Sequence, residues 1–342
     1  MGIKLIKVLP IEVMIEVEPR CNFNCQFCFN KISFAKNGRN IKSFNTAYVK
    51  KIIDGIAKVK IKIVRFTGGE PLLRKDIFEL TEYAKSKGLK VFLNTNGSLV
   101  TADAARKLKG MVDSVLIPIE SYCPEDEALA TGNPNALLQK INAVKFLKKA
   151  KIPTVRVGTV ALRKNILNLE KLAKFILVLP ADEWELYRPI TVKKGGGGIN
   201  NKDADLLVNK LSKIKKTAQK RVFIVNAFPF CAVKDLCKAN DASRGAFFDD
   251  GHSRLVIDAR GFVKPHYFIN KNIGNPLNIL EAWNHPFMRR MRNLKYLPKD
   301  CLNCYYKLKC RGGSRHEAKM AFGSYRALDP LAKNFNYQHK IN

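Results

Sequence analysis

Between Ile11 and Ile190 the sequence switches repeatedly between two hydrophobic periods, and this alternation restricts the fold more than any other feature. "IEVMIEV", "IKIVRFT", "KVFLNTNG", "SVLIPIES", "TVRVGTVAL" and "EWELYRPI" carry the short apolar or alternating pattern of strands. "TAYVKKIIDGIAKV", "IFELTEYAKSKG", "AARKLKG", "NALLQKINAVKFLKKA" and "NLEKLAKFILV" fall between them with helical spacing, and Gly88 stands just past the end of the second. Strands joined through helices run parallel, so the pattern predicts an α/β fold with a parallel sheet or partial barrel. Ligands bind at the C-terminal ends of the strands in such folds, and the unusual residues fall there.

The alternation breaks at "KKGGGGINNKDAD", Lys193 to Asp205. Gly195 to Gly198 hold regular structure only at a high entropic cost, and they lack the Lys-Ser/Thr ending of a phosphate-binding loop. The segment reads as a flexible loop near a domain boundary. Beyond it, "RVFIVNA" and "SRLVIDARGFVKPHYF" read as short strands around the remaining cysteines, with a hairpin turning at Ala259 to Gly261. We expect a core at 1–192, a linking or closing segment at 193–226, and a smaller metal-binding domain at 227–342.

No apolar run approaches the roughly 18 residues of a membrane span. The start, "MGIKLIKVLPIEVMIEVEP", is too short in its apolar part and too soon acidic for a secretory signal, so a cytoplasmic location is expected. In that reducing compartment nine cysteines read as metal ligands or free thiols, not disulfides. All but Cys123 are clustered; Cys123, in "ESYCPEDE", reads as an ordinary thiol at a strand end. The net charge of +32 attracts acidic proteins, carboxylate-rich small molecules or nucleic acid. It is spread over the whole chain, solvated faces account for it equally well, and no nucleic-acid module is visible.

"CNFNCQFCFN", Cys21 to Asn30, spaces three cysteines as C-x3-C-x2-C. A 4Fe–4S cube normally takes four cysteines, so three leave one iron open to a substrate or cofactor. Structural zinc wants a closed fourth ligand, and the first histidine in the chain is His252. With Phe27 before the last cysteine and "FTGGEP" ending the next strand, the pattern resembles the radical S-adenosylmethionine (SAM) superfamily. The resemblance implies a partial (β/α)6 barrel over roughly residues 10–190. It implies a 4Fe–4S cluster on Cys21, Cys25 and Cys28, with SAM chelated on the open iron. Reductive cleavage of SAM would give methionine and a 5′-deoxyadenosyl radical that abstracts hydrogen from substrate. The same resemblance offers Phe27, Gly68, Gly69, Glu70, Asn94, Asn96 and Glu120 as SAM contacts. Glu70 would accept from the SAM ammonium group, while Asn94 and Asn96 in "LNTNG" read equally as a turn. In "LIPIES", Pro118 and Glu120 stand where the family often has Ser-x-Asp, so Pro118 offers no hydroxyl.

A second resemblance covers "CLNCYYKLKCRGGSRHEAKMAFGSYRALDP", which looks like the SPASM/twitch extension that binds auxiliary iron–sulfur clusters. Cys301, Cys304 and Cys310 keep the first three positions of its run; Ser314 and Ala332 replace later cysteines. Upstream stand Cys231 and Cys237, with His266 where Gly-x4-Cys would end and Tyr267 where some members carry a base. The incomplete set implies one auxiliary cluster rather than two, completed by Cys231 or Cys237 or left open. A zinc ribbon on Cys231, Cys237, Cys301 and Cys304 is the alternative. Tyr267, Glu120 and Arg188 would face a cavity if the strand register holds. The resemblance implies a peptide or protein side chain as substrate, and the excess of positive charge would recruit an acidic electron donor such as ferredoxin or flavodoxin. Tetrapyrrole side-chain modification of haem or haem d1 type is the second enzyme reading. A non-catalytic, metal-stabilised protein binding nucleic acid is the reading from another class.

Overall fold

The computed structural model describes residues 9–28, 30, 41, 43–192, 198–246 and 251–332. Most of the four-glycine run, Gly195 to Gly197, lies outside the described residues. The strands are β1 (Glu12–Glu18), β2 (Ile63–Gly68), β3 (Lys90–Asn94), β4 (Ser114–Pro118), β5 (Thr154–Val160), β6 (Glu183–Tyr187), β7 (Arg221–Ile224), β8 (Arg254–Ile257) and β9 (Val263–Lys264). They form one sheet in the order β7-β6-β5-β4-β3-β2-β1-β8-β9. Strands β1 to β7 are parallel neighbours in chain order, β8 pairs parallel with the other side of β1, and β9 returns antiparallel on β8.

The expected six-strand alternation is therefore present and is extended at both edges. "RVFIVNA" continues the parallel run as β7, and the expected hairpin forms as β8 and β9 around a turn tied by Asp258. The segments before and after the glycine run thus share one sheet.

The connecting helices include α1 (Thr46–Lys58), α2 (Ile77–Ser86), α3 (Ala102–Leu108), α4 (Pro124–Thr131), α5 (Ala136–Lys149), α6 (Leu169–Val178) and α7 (Asn201–Thr217); α8 (Leu236–Ala242) and α9 (Arg315–Phe322) follow. Their starts have local causes. Asn45 accepts from the Tyr48 amide, Thr101 from Ala104, and Asn200 with Asp203 forms a reciprocal capping box.

The two sheet faces differ in chemistry. One carries Val13, Ile15, Val17, Val64, Phe66, Leu93, Ile117, Val157 and Trp184, which join the helices in the main apolar core. The other carries Glu12, Met14, Glu16 and Glu18 of β1, Arg65 of β2, Phe92 and Asn94 of β3, and Arg156 and Glu185 of β5 and β6. Fully packed parallel sheets are apolar on both sides. A face of buried charge is expensive to desolvate, so its members pair with one another across the strands.

Candidate functional site

The cysteine loop leaves the C-terminal end of β1 and is tied down on three sides. On the first, Gly69 N donates to Glu18 O at 2.6 Å and Glu70 N to Arg20 O at 2.8 Å. Glycine is required here. A Cβ on Gly68 would stand 2.3 Å from the Glu18 carbonyl oxygen, and one on Gly69 2.1 Å from that of Arg20. Gly68 also holds φ +145°, which side chains rarely adopt. The close approach that the sequence reading assigned to a ligand is thus made by the chain itself, one residue before Cys21.

On the second side, Asn96 Nδ2 donates to Asn22 Oδ1 at 2.8 Å and approaches the Cys21 sulfur at 3.8 Å, while Asn22 donates to Ser98 Oγ. On the third, Asn24 and Gln26 donate their amides to Thr131 O and Ala130 O at the end of α4. The following Gly132, at φ +72°, leaves room for Asn24. Sequence reasoning missed this anchor; its visible signal was the glycine closing the helix.

Glu70 is buried, and its carboxylate serves the neighbouring loop. It accepts from Leu72 N at 2.9 Å, Thr95 Oγ1 at 2.7 Å and Asn96 N at 2.6 Å. Desolvation raises its pKa to about 7, against the pull of those donors. That arrangement holds Asn96 over the cysteine loop. The Asn94 carbonyl oxygen is likewise taken, by Arg65 Nη1 at 3.1 Å. Phe27 lies half-buried in the turn between Cys25 and Cys28.

Glu120 is buried beyond the end of β4 and accepts from Val160 N at 2.7 Å. Burial, then the charge of Glu127, raises its pKa to about 8. Glu127 accepts from the Glu120 and Ser121 amides and pairs with the buried Lys140, whose ammonium lies 5.6 Å from the Phe23 ring. Lys140 acts on Cys25 as well, but burial dominates and pushes that thiol up to about 12. Cys21 is also raised by burial, and Cys21, Cys25 and Cys28 act on one another as like charges. The three sulfurs therefore share one site that favours thiolates only when a cation is present.

Deeper on the polar face, Glu12 accepts from Arg65 at 2.8 Å and forms an ion pair with Arg254 at 2.7 Å. Burial alone would raise its pKa, yet Arg254 and Arg65 hold it below the ordinary carboxylate value. Arg156 pairs with Glu185 at 2.9 Å, and the Phe92 ring lies between the Arg65 and Arg156 guanidiniums. Tyr267 packs with Met14 and Val256 on this face, as expected, and burial raises its pKa. Arg188 instead binds Asp329 through two bonds of 2.6 and 2.9 Å and joins the end of β6 to the C-terminal segment.

In the C-terminal region Cys231, Cys301, Cys304 and Cys310 line one small pocket with Phe230, Tyr306 and Ala332. Cys237 does not line it. That residue is exposed near the start of α8, with its sulfur 3.8 Å from the Tyr306 hydroxyl. Ser314 caps α9, accepting from Glu317 N. His266 packs edge-on to Phe268 at 4.9 Å. Burial raises Cys310, while the amides of Phe230, Gly312 and Gly313 pull toward its thiolate. Among the described residues no three His, Cys, Asp or Glu side chains converge on a single-ion site.

Residues 15–176 match the family model described as the radical SAM superfamily. These residues are a radical SAM domain. It is 25% identical over 335 residues to an AdoMet-dependent heme synthase of Nitratidesulfovibrio vulgaris, covering 92% of this chain and 90% of that protein. It is 24% identical over 335 residues to a PqqA peptide cyclase of Bradyrhizobium diazoefficiens, covering 94% and 86%. The structure of native anSMEcpe with bound AdoMet and Cp18Cys peptide shares the fold at TM-score 0.74 and 15% identity, covering 96% of this chain and 95% of that one. Streptococcus suis SuiB bound to precursor peptide SuiA does so at 0.72 and 16%, covering 95% and 76%.

This radical SAM enzyme is expected to hold a 4Fe–4S cluster and SAM, and the donors at the end of β1 fit them. Three half-buried or exposed thiols share the loop. Asn30 donates to Gly68 O at 2.5 Å, and its own carbonyl oxygen is buried without a donor among the described residues. A bound ammonium group or water would satisfy that oxygen. No helix among the described residues is long and apolar enough to cross a membrane.

Proposed function

We propose that this enzyme modifies a side chain of a peptide or protein, with Cys21, Cys25 and Cys28 holding the SAM-binding cluster. The observation that carries the chemistry is the three-thiol loop stapled to the end of β1, the strand that also carries the paired charges of the polar sheet face. Cys21, Cys25 and Cys28 would hold the cluster, and cluster and SAM together would supply one-electron cleavage and hydrogen-atom abstraction. The chain's own residues set the geometry. Gly68 and Gly69 let the Glu18–Arg20 backbone close against β2, and Glu70 fixes Thr95 and Asn96. We assign Phe27, Gly68, Gly69 and Asn96 to the cofactor's surroundings, with Asn94 and Glu120 bordering them.

A peptide substrate is supported by the names of the PqqA peptide cyclase and of the peptide-bound structural neighbours. The heme synthase relatives support the second reading, a tetrapyrrole, whose carboxylates suit a chain of net charge +32. We further propose an acidic ferredoxin or flavodoxin as electron donor and one auxiliary iron–sulfur centre. The division into 1–192, 193–226 and 227–342 remains our reading of the domains, with β7 and β8 binding the parts together.

The test is anaerobic reconstitution with SAM and dithionite, followed by chromatography for 5′-deoxyadenosine and methionine. Replacing Cys21, Cys25 and Cys28 with Ala should abolish both products, and undiminished cleavage would refute the cluster assignment. Candidate acidic peptides and carboxylated tetrapyrroles are then compared by mass change.

A further inference from the structure

The residues around the C-terminal pocket lie far apart in sequence. Cys231 sits on the single helical turn Phe230–Ala232 shortly after β7, at the edge of the core sheet. Cys301 lies on the short helix Lys299–Leu302, Cys304 just beyond it, and Cys310 ends the helix Lys307–Cys310. All four line the same pocket, and so does Ala332, whose methyl group cannot ligate. Cys231, Cys301 and Cys310 are buried and Cys304 is half-exposed, whereas Cys237 is exposed outside the pocket.

We propose that Cys231 is the fourth thiolate of a single C-terminal metal centre with Cys301, Cys304 and Cys310, taking the place that Ala332 cannot fill. This deepens the reading of an auxiliary centre given above and rests on it. One feature of the chain supports it besides proximity. Arg311, Gly312 and Gly313 all hold positive φ, at 53°, 74° and 73°, which turns the chain back over Cys310.

An all-sulfur set of four takes zinc or an iron–sulfur cluster.

The assignment has two consequences. The other set suggested by the sequence, Cys231, Cys237, His266 and Ser314, cannot assemble as well, because Cys231 is committed and Ser314 caps α9. The centre also has four protein ligands and no open position, so it passes electrons or ties β7 to the 299–310 segment and does not bind substrate.

The experiment uses the full chain carrying Cys21→Ala, Cys25→Ala and Cys28→Ala, which removes the SAM-binding cluster and leaves the second centre to be counted alone. After anaerobic reconstitution with iron and sulfide, iron, acid-labile sulfide and zinc are measured per chain. About four irons with sulfide identify a cubane, and one zinc a ribbon; both keep the ligand set, and zinc would correct only the cluster type. Adding Cys231→Ala should lower the metal content at least two-fold, while adding Cys237→Ala should leave it unchanged. Circular dichroism shows whether each variant is folded. Adding Ala332→Cys to the Cys231→Ala variant should restore the metal, which mere recovery of folding by a distant change would not do. Loss of metal on removing Cys237 but not Cys231 overturns the proposal, as does no metal in the starting variant or no response to either change. Because SAM cleavage is measured on protein with an intact N-terminal loop, failure here is distinguishable from failure of the radical SAM assignment.

Discussion

Replacing Gly69 with Ala tests whether the glycine pair serves the chain's own backbone. Gly69 is not among the residues with positive φ, so the change carries no left-handed strain. Its cost is contact. The new Cβ would stand 2.1 Å from the Arg20 carbonyl oxygen, where Cβ contacts below 3.0 Å essentially never occur, so Arg20 must retreat by about 0.9 Å. That movement stretches the 2.8 Å bond from Glu70 N to Arg20 O past bonding range and strains the 2.6 Å bond from Gly69 N to Glu18 O. Two backbone bonds at about 1 kcal/mol each, plus desolvated groups left without partners, give a loss of about 2–4 kcal/mol. Arg20 directly precedes Cys21, so the first thiol moves with it and iron loading at the loop should fall. Gly88→Ala is the control. It holds φ +76° with nothing within 4 Å of a new Cβ, so it costs only the left-handed strain of about 1–2 kcal/mol. Urea unfolding and iron per chain are measured for both variants. If Gly69→Ala unfolds no more easily than Gly88→Ala and keeps its iron, the steric argument is wrong.

Glu120 is a second handle. Its folded pKa of about 8 lies above the ordinary 4.5, so its contribution to stability is complete below pH 4.5 and is lost as pH rises through 8. Glu120→Gln should flatten the fall in stability between pH 5 and 8 by up to about 1.4 kcal/mol per pH unit, measured by urea midpoints; an unchanged slope refutes a neutral Glu120. Glu16 and Glu70, both at about 7, keep part of that slope in the variant. If the +32 charge recruits an acidic electron donor, turnover with ferredoxin or flavodoxin should drop steeply from 0.1 to 1 M salt, as the Debye length shrinks from about 10 to about 3 Å. Turnover with dithionite should change much less, and equal sensitivity would remove the charge from that role.

The alternation of strand and helix, the hairpin at Ala259 to Gly261, and the pairing of C-x3-C-x2-C with GGEP were all legible in the sequence. Each is a local signal: a hydrophobic period, a turn, or ligands a few residues apart. Charges inside "EVMIEVE", "TVRVGTV" and "EWELY" also hinted that one sheet face is polar, but their partners were not legible. Glu12 finds Arg254 from the far end of the chain, and Arg188 finds Asp329, because β8 returns beside β1 and the C-terminal segment closes over β6. That Glu70 holds Thr95 and Asn96 was likewise legible only in the fold. The same holds for the cysteines. Spacing grouped Cys301, Cys304 and Cys310, but Cys231 and Cys237 stand six residues apart and look interchangeable in sequence. Only the packing of the turn after β7 brings Cys231 into the pocket and leaves Cys237 in solvent. Spacing records which residues are close along the chain; closeness through space depends on the register of the sheet and the burial it imposes.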